Sequence, residues 1–278
     1  MPFIYFIIPF LLHGLFVRVD SILLECVDGV SLSVATDGSC YVIDRTNNTV
    51  IRYNDGKVKT IGGTGWSNDG FDNPTDVNSS FILDVYITDK NNNRIQRFDR
   101  NLSFIESLTK NSIINSESFY PQSCAVSLQG EIFAIDRDNR KIVKIDKNRK
   151  ILSEFGSNNS GSATLRDPID ISVSPNDAVF VMDQNTIVEY DLYGNYILSI
   201  PLEQNDHWRS IASTADHIIA ISSERIQFYA ISGEYQFELR PMDISGFSID
   251  EFRDSFMIDT VLYILTPKAL LSCSLIQN

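Results

Sequence analysis

The chain has 278 residues, enough for one large domain or two small ones. Its 43% hydrophobic and 21% charged residues exclude a disordered, collagen-like or coiled-coil chain. Asp and Glu number 36 against 23 Lys and Arg, and the resulting net charge of −13 would repel a nucleic-acid backbone.

The first seventeen residues are strongly apolar, and the first charged side chain is that of Arg18. This segment predicts a secretory signal peptide or a short membrane anchor over residues 1–20. No basic residue precedes it and no Ala-x-Ala cleavage site follows it, so a buried apolar strand stays open as the alternative. Export or anchoring would place the protein outside the cytoplasm, touching a membrane only through this segment.

A strand pattern recurs along the rest of the chain, over residues 21–278. The first four copies read VIDRTNNTVIRYN (42–54), ITDKNNNRIQRFD (87–99), AIDRDNRKIVKID (134–146) and VMDQNTIVEYD (181–191). Each has an Asp at the end of a strand: Asp44, Asp89, Asp136 and Asp183. Two degenerate copies place Ser222 and Thr266 at this position.

Each copy is predicted to contain four strands, which in the second copy are 74–79, 83–89, 94–99 and 104–108. One such unit cannot bury both its faces, whereas six units packed around an axis can. The last copy lacks a fourth strand, and ILLECV at 22–27 matches the outer strands of other copies. We therefore predict an all-β fold: a six-bladed β-propeller of four-stranded antiparallel blades, closed by an N-terminal strand completing the last blade.

The second copy, GWSNDGFDNPTDV (65–77) followed by VYITDKNNNRIQRFD (85–99), resembles an NHL repeat. The NHL pattern has a Gly-Asp-Gly-Phe loop, a Pro-led inner strand, and a strand ending in Ala-Asp before Asn-Asn-Arg-Ile. The resemblance is strong in the first four copies and faint in the last two. It implies a six-bladed propeller and says little about activity, since propellers of this family include RNA-binding domains, lyases, sensor domains and envelope proteins.

None of the four cysteines lies in a Cys-x-x-Cys pair, which excludes a zinc ribbon or a thioredoxin-like site. Cys26 and Cys273 fall on neighbouring strands of the last blade. Copying the strand pairing of the fifth copy places Cys273 opposite Leu23, about 10 Å from Cys26 along the strand, too far for a disulfide. We therefore predict four unpaired thiols.

The remaining polar motifs give little support for catalysis. The recurring aspartates are interpreted as structural, because a residue present in every blade builds the blade. The run from Asp89 departs from a calcium loop, with Arg94 where Gly is required. Outside the leader only His207 and His217 remain, too few for a three-His zinc site, and no nucleophile-elbow sequence is present for a catalytic triad. We predict no catalytic residue.

Small polar side chains are predicted to line the central channel, one on the inner strand of each blade. A cation could bind two of them, Asp76 and Asp170, but a site needs more ligands than these. We therefore expect no cofactor, with calcium as the weak candidate. The six predicted channel residues are Ser31, Asp76, Ser123, Asp170, Ser210 and Ser248.

The loops that lead into the inner strands are the longest in the chain and carry aromatic and basic side chains, which recognition surfaces favour. We predict a non-catalytic extracytoplasmic propeller that binds a protein, peptide or glycan through these loops, and no nucleic acid, since the basic residues of 136–150 lie on one blade edge among acids. The alternative is a cation-dependent hydrolase or lyase of the lactonase kind, with its site at the channel. The predicted partner-binding residues are Trp66, Phe71, Tyr120, His207, Trp208 and Arg209.

Overall fold

The computed structural model describes residues 15–79, 83–157 and 163–277. Their strands form six sheets, each the blade of a propeller, and this confirms the predicted all-β architecture. In each of the first five blades the strands are consecutive in sequence and pair antiparallel, from an inner first strand to an outer fourth strand. The last blade contains both ends of the described chain.

The strand bounds follow the repeat closely, and in the second blade they differ from the predicted ones by at most one residue. Blades one to three comprise β2 (Gly29–Val34), β3 (Cys40–Asp44), β4 (Thr49–Asn54), β5 (Lys57–Gly62); β6 (Pro74–Asn78), β7 (Asp84–Asp89), β8 (Arg94–Asp99), β9 (Phe104–Thr109); and β10 (Pro121–Val126), β11 (Ile132–Asp136), β12 (Lys141–Ile145), β13 (Ile151–Phe155). Blades four and five comprise β14 (Pro168–Val173), β15 (Ala178–Asp183), β16 (Thr186–Asp191), β17 (Tyr196–Pro201); and β18 (Trp208–Ser213), β19 (His217–Ser222), β20 (Ile226–Ala230), β21 (Tyr235–Leu239).

The sixth blade is closed by the N-terminal strand, as predicted. Its strands are β23 (Asp254–Ile258), β24 (Val261–Leu265), β25 (Ala269–Gln277) and β1 (Leu15–Glu25). A two-residue strand, β22 (Ile244–Ser245), runs parallel to β1 along the outer edge, after a short 3-10 helix at Pro241–Asp243. β1 starts seven residues earlier than the predicted strand and takes in Leu15–Asp20 of the predicted leader. Residues 1–14 lie outside the described residues, so the leader stays a prediction.

The predicted pairing of Cys273 with Leu23 is wrong. Cys273 lies opposite Val19, four residues from Leu23, and the two bulges of β1, between Val19 and Ser21 and between Ile22 and Leu24, account for two of the four. The template pairing also shifts at a bulge, which sets Tyr229 opposite Tyr235. All four cysteines are nevertheless free, and Cys26 lies beyond the opposite end of the β1–β25 pair, with its backbone N–H bonded to Lys268.

The core lies between the blades, where apolar side chains of each sheet pack on the next. The cluster between blades one and two contains Tyr41, Ile43, Ile87 and Phe98, all fully buried. The cluster across the closure joins Val17 of β1 with residues of blades one, five and six. Burial of this kind stabilises a fold by about 25 cal/mol per Å² of apolar surface. Sheet-on-sheet packing therefore holds the ring together on every side.

The recurring aspartates have a structural role, as predicted. In blades one, two and four they fasten the blade to the loop that leads into it, and in blade three Asp136 accepts from Asn139 of its own turn. Val27 N–H donates to Asp44 at 2.7 Å, and Asp72 N–H donates to Asp89 at 2.7 Å. Both Arg166 and Asp167 donate backbone N–H groups to Asp183. In the degenerate copies Ser222 and Thr266 bind only backbone groups of their own turns.

We name the two sides of the ring by their connections. The front face carries the loops between successive blades and the turns between second and third strands. The back face carries the turns between first and second strands and between third and fourth strands. No helix among the described residues is long and apolar enough to cross a membrane.

Asp89→Ala tests this bracing. The carboxylate is fully buried and bonds Arg94 Nε at 2.7 Å, so its removal leaves a buried guanidinium without its counter-ion. We expect the free energy of unfolding to fall by about 3 kcal/mol in urea denaturation. The exposed Asp250, paired with Lys268 at 3.8 Å, supplies the control Asp250→Ala, which should change stability by less than about 0.5 kcal/mol. Equal losses in the two variants would contradict the bracing role.

Candidate functional site

The inner strands bring a ring of alternating serines and aspartates together around the propeller axis. Five of its members are predicted channel residues: Ser31, Asp76, Ser123, Asp170 and Ser210. The predicted sixth, Ser248, is exposed and precedes the inner strand of blade six. Asp254 takes its place, because β23 begins at this residue and Ser210 Oγ donates to its Oδ1 at 2.7 Å. The ring therefore carries a carboxyl group on every second blade.

Hydrogen bonds link each blade to the next through this ring. Ser31 Oγ donates to Asp76 at 3.1 Å, and Ser123 Oγ lies 2.9 Å from Asp76 and 2.6 Å from Asp170. Beyond the Ser210–Asp254 bond, the ring closes where the backbone N–H of Leu32 in blade one donates to Asp254 at 2.8 Å.

The aspartates satisfy backbone groups that the sheets leave unpaired. An inner strand is the edge of its sheet, so N–H groups on its free side have no partner within the blade. Each ring carboxylate accepts one such N–H from the next blade, belonging to the residue that follows the ring serine. The donors are Cys124 for Asp76, Ile211 for Asp170 and Leu32 for Asp254. Both oxygens of each carboxyl group are thereby engaged in blade-to-blade contacts.

The contacts of Ser123 require a shared proton. Its hydroxyl has one hydrogen but lies within bonding distance of Asp76 Oδ2 and Asp170 Oδ1. The same Asp76 oxygen accepts the Cys124 N–H, and the same Asp170 oxygen accepts the Ile171 N–H. Both short contacts with Ser123 are favourable when one of the two carboxyl groups is protonated and donates to the Ser123 oxygen.

Burial favours the same protonation. Removal from water raises the pKa of Asp76 to about 7, and the neighbouring Asp170 adds to the rise. The pKa of Asp254 rises to about 8 for the same two reasons, and burial also raises the pKa of Asp170. By surface area Asp76 and Asp170 are half-buried, whereas Asp254 is buried, so removal from water is most complete for Asp254. Near neutral pH the ring therefore retains protons.

The ring gives no cluster of metal ligands. Within residues 15–79, 83–157 and 163–277, no three side chains of His, Cys, Asp or Glu lie close enough to share a metal ion. The three aspartates lie on every second blade, and the blade between any two of them carries a serine at this position. Cation binding by Asp76 and Asp170 stays a prediction.

The predicted partner-binding residues divide into exposed and buried groups. Trp66 is 72% exposed and Tyr120 is 41% exposed, and His207 is exposed as well. Phe71 is fully buried against Phe98 between blades one and two, so its place in a binding surface is wrong.

The prediction that Trp208 belongs to the binding surface is also wrong, because this side chain is buried. It is only 5% exposed, and its indole N–H donates to Glu203 O at 3.0 Å. As the first residue of β18, it packs into the core between blades four and five. Arg209 is partly exposed and donates to Glu251 at 2.8 Å, and Glu251 also pairs with Arg253. This network lies at the front of blades five and six.

The loop that carries Trp66 is held from beneath by buried polar side chains. The guanidinium of Arg94 donates to the backbone oxygens of Trp66, Ser67 and Gly70 at 2.9–3.2 Å. Gln96 also donates to Gly70 O, and Asn92 donates to Gly65 O. The loop is thus tied to blade two at four backbone positions, while the indole of Trp66 projects into solvent.

A pocket of about 340 Å³ opens on the front face between blades two and three. Tyr120 is the only predicted site residue in its lining. Sequence reasoning missed Lys90, Gln122 and Arg137, which also line it. The signal available was position within the repeat: Lys90 and Arg137 each follow the recurring aspartate of their copy.

The two described histidines lie away from the ring. His207 is in the loop before β18 on the front face, and His217 begins β19 at the back face. His217 is half-buried, and burial lowers its pKa. Neither histidine has a hydrogen bond to a ring residue among the described contacts, so a histidine–carboxylate pair is not assembled at the channel.

Comparison with known proteins identifies the fold. No protein-family model matches the chain, and no curated protein matches it in sequence. A virginiamycin B lyase from Staphylococcus aureus, a catalytically inactive histidine-to-alanine variant with quinupristin, matches with a TM-score of 0.63 and 18% identity, over 89% of this chain and 80% of that one. A streptogramin B lyase matches with a TM-score of 0.65 and 13% identity, over 94% and 98%. These likenesses establish a six-bladed propeller, and NHL-family membership stays a prediction.

The ring should make stability fall as pH rises. Between the ordinary carboxyl pKa of 3.8 and the raised values of about 7 and 8, the folded ring binds more protons than the unfolded chain. Stability attributed to the ring is therefore complete below pH 4 and is lost progressively up to about pH 8.

Asp76→Asn isolates this effect, because an amide fits the site: its oxygen can accept from Ser123 and Cys124, and its nitrogen can donate to Ser31. We expect a shallower decline of the melting temperature between pH 5 and 9 in Asp76→Asn than in the wild type. The exposed Asp250→Asn should keep the wild-type slope. An unchanged slope in Asp76→Asn would rule out proton retention at this residue.

Proposed function

We propose that the protein is a non-catalytic propeller that binds a partner through its front face. One observation carries this proposal: Trp66, 72% exposed, stands on a loop that buried Arg94, Gln96 and Asn92 hold in place. An aromatic side chain on a pre-organised backbone loses little conformational entropy when it is covered, and tryptophan is the commonest anchor of binding surfaces.

Comparison with two other large aromatic side chains predicted for this face supports a role for Trp66 beyond folding. Phe71 of the same loop fills the core, and Trp208 does so in blade five. Among the described hydrogen bonds, Trp66 takes part through its backbone oxygen, which accepts from Arg94. Holding the backbone beneath an exposed indole prepares a surface for a partner.

The central ring supports the non-catalytic part of the proposal. Its carboxyl oxygens already accept hydrogen bonds from serines and from backbone N–H groups of the next blade. A catalytic acid or base needs one oxygen available to the substrate. The contacts between blades therefore give the carboxyl groups of the ring a structural role.

Substitution of Trp66 tests the proposal. The wild type, Trp66→Ala and Tyr193→Ala are screened in parallel against a glycan array and a displayed peptide library. Tyr193 is 80% exposed on the back face and is the matched control. We expect specific ligands of the wild type to lose at least about tenfold in affinity with Trp66→Ala, the loss of one hot-spot aromatic, and to be unaffected by Tyr193→Ala.

Fluorescence gives a second readout of the same proposal. The chain has two tryptophans, and only Trp66 is exposed. A ligand that covers Trp66 should shift the emission to shorter wavelength and protect it from acrylamide quenching. Ligands lost on Tyr193→Ala but retained by Trp66→Ala would place binding on the back face and overturn the proposal.

The second candidate is a lyase or hydrolase acting at the central channel. It is favoured by the raised pKa values of three channel carboxyl groups and by the fold shared with streptogramin lyases. In this case calcium is the cation to test, with Asp76 and Asp170 as its ligands.

Calcium binding has a direct thermal test. A cation at 100 times its dissociation constant would stabilise the fold by about 2.7 kcal/mol. Because the ring oxygens are already bonded, we expect the melting temperature in millimolar calcium to equal that in a chelator. A calcium-dependent rise that Asp76→Asn abolishes would favour the enzyme over the binding propeller.

A further inference from the structure

We propose that the front-face pocket between blades two and three binds a sugar that carries a carboxylate, such as a uronic acid. This inference rests on the proposed function and names the chemical class of the partner. The pocket has a volume of about 340 Å³, at the lower end of the range typical of ligand sites.

Charge is the first reason. Lys90 and Arg137 both line the pocket, and Asp138 is the single acid in its lining. This local excess of positive charge occurs on a chain with a net charge of −13. Burial and the neighbouring Arg137 lower the pKa of Lys90, and Asp138 opposes this shift only in part, so an anion placed between the two cations would relieve their repulsion.

The two cations are only partly neutralised by the protein. Arg137 approaches Asp167 at 3.5 Å in an exposed pair, a distance that gives a weak interaction. Lys90 is half-buried and has no ion pair within 4 Å among the described residues. A carboxylate matches the planar fork of a guanidinium and can accept from the ammonium group at the same time.

The remaining lining residues suit a sugar ring. Tyr120 is 41% exposed and offers an aromatic face, against which the apolar face of a sugar can pack. Gln122 and Asn93 contribute amides to the lining, and the buried amide oxygen of Gln122 has no hydrogen-bond partner in the described part of the chain. Amides can both donate to and accept from hydroxyl groups. A simple inorganic anion would contact the two cations but would not need the aromatic ring or the amides.

The pocket and Trp66 belong to one continuous part of the front face. The turn 90–93 of blade two lines the pocket through Lys90 and Asn93. The same turn holds the Trp66 loop, since Asn92 donates to Gly65 O and Asn91 N–H donates to Asp72 O. A saccharide seated in the pocket would therefore lie against the turn that also supports the Trp66 loop.

Calorimetric titration of the full chain tests the inference with three probes. They are D-glucuronate, the neutral methyl glucoside, and sulfate as a plain anion. We expect glucuronate to bind, the glucoside to bind at least about tenfold more weakly for want of a charge-assisted hydrogen bond, and sulfate to bind no better than the glucoside. Glucuronate affinity should fall as salt is added.

Variants locate the site. Lys90→Gln and Arg137→Gln should each weaken glucuronate binding by about tenfold, the loss of one charge-assisted contact. Lys147→Gln, an exposed cation on the back face, is the matched control and should bind as the wild type does. Tyr120→Ala should weaken glucuronate and leave any weak sulfate binding unchanged.

The outcomes separate this inference from the proposed function. No glucuronate binding, or equal binding of the glucoside, would overturn the acidic-sugar site while leaving Trp66-dependent recognition intact. Equal binding of sulfate would reduce the pocket to a plain anion site and also overturn the inference. Glucuronate binding with no Trp66-dependent ligand in the screens would support the pocket and remove Trp66 from the proposed function.

Discussion

The ring of serines and aspartates around the axis is the interaction on which the rest of the structure depends. Each blade is a sheet whose inner edge faces the axis, and an unpaired edge in a confined channel would leave N–H groups without partners. The ring carboxylates supply those partners from the neighbouring blade. Because the contact runs between blades, it fixes their spacing and orientation and also provides acceptors for the N–H groups of the inner strands.

Alternation follows from the chemistry of the ring. Six carboxyl groups at one level would repel one another and would lack donors, whereas six hydroxyl groups would lack strong acceptors. Each ring serine can donate its single hydroxyl hydrogen to one neighbouring aspartate, and a proton retained on a carboxyl group makes the second contact of Ser123 favourable. Removal from water, and after it the neighbouring Asp170, raises the pKa of both Asp76 and Asp254.

The repeat made most of the fold predictable. Period, strand number and closure depend on features present in every copy, so errors in one copy are corrected by the others. The ring position in blade six was misplaced at Ser248 because the last copy is degenerate, and a long connection with a 3-10 helix and β22 precedes β23. Local bulges in β1 likewise shifted Cys273, since the one-residue insertions follow no pattern in the sequence.

The candidate site was harder to predict because exposure is decided by neighbours distant in sequence. Phe71 and Trp66 lie five residues apart in one loop, yet one fills the core and the other is in water. The difference is set by Arg94 and Gln96, which hold the loop so that Phe71 points inward. Similarly, Lys90 and Arg137 belong to different repeats and meet only when the blades pack side by side.

Function in such a fold arises where the repeat is broken. The aspartate at the end of the second strand is common to the first four blades, and in blades one, two and four it accepts a backbone N–H from the loop that leads into the blade. The residue after it is under no such constraint: it is Arg45, Lys90, Arg137 and Gln184 in turn. Because this position lies at the front face beside the next blade, a change there alters the surface without disturbing the bracing beneath it. The cations at this position in blades two and three are such changes. Trp66 is another departure from the repeat, since it lies in a loop longer than its counterpart before blade one. A ring whose blades are held by contacts beneath the front face can therefore vary that face one blade at a time, and the differences between blades are where we expect recognition.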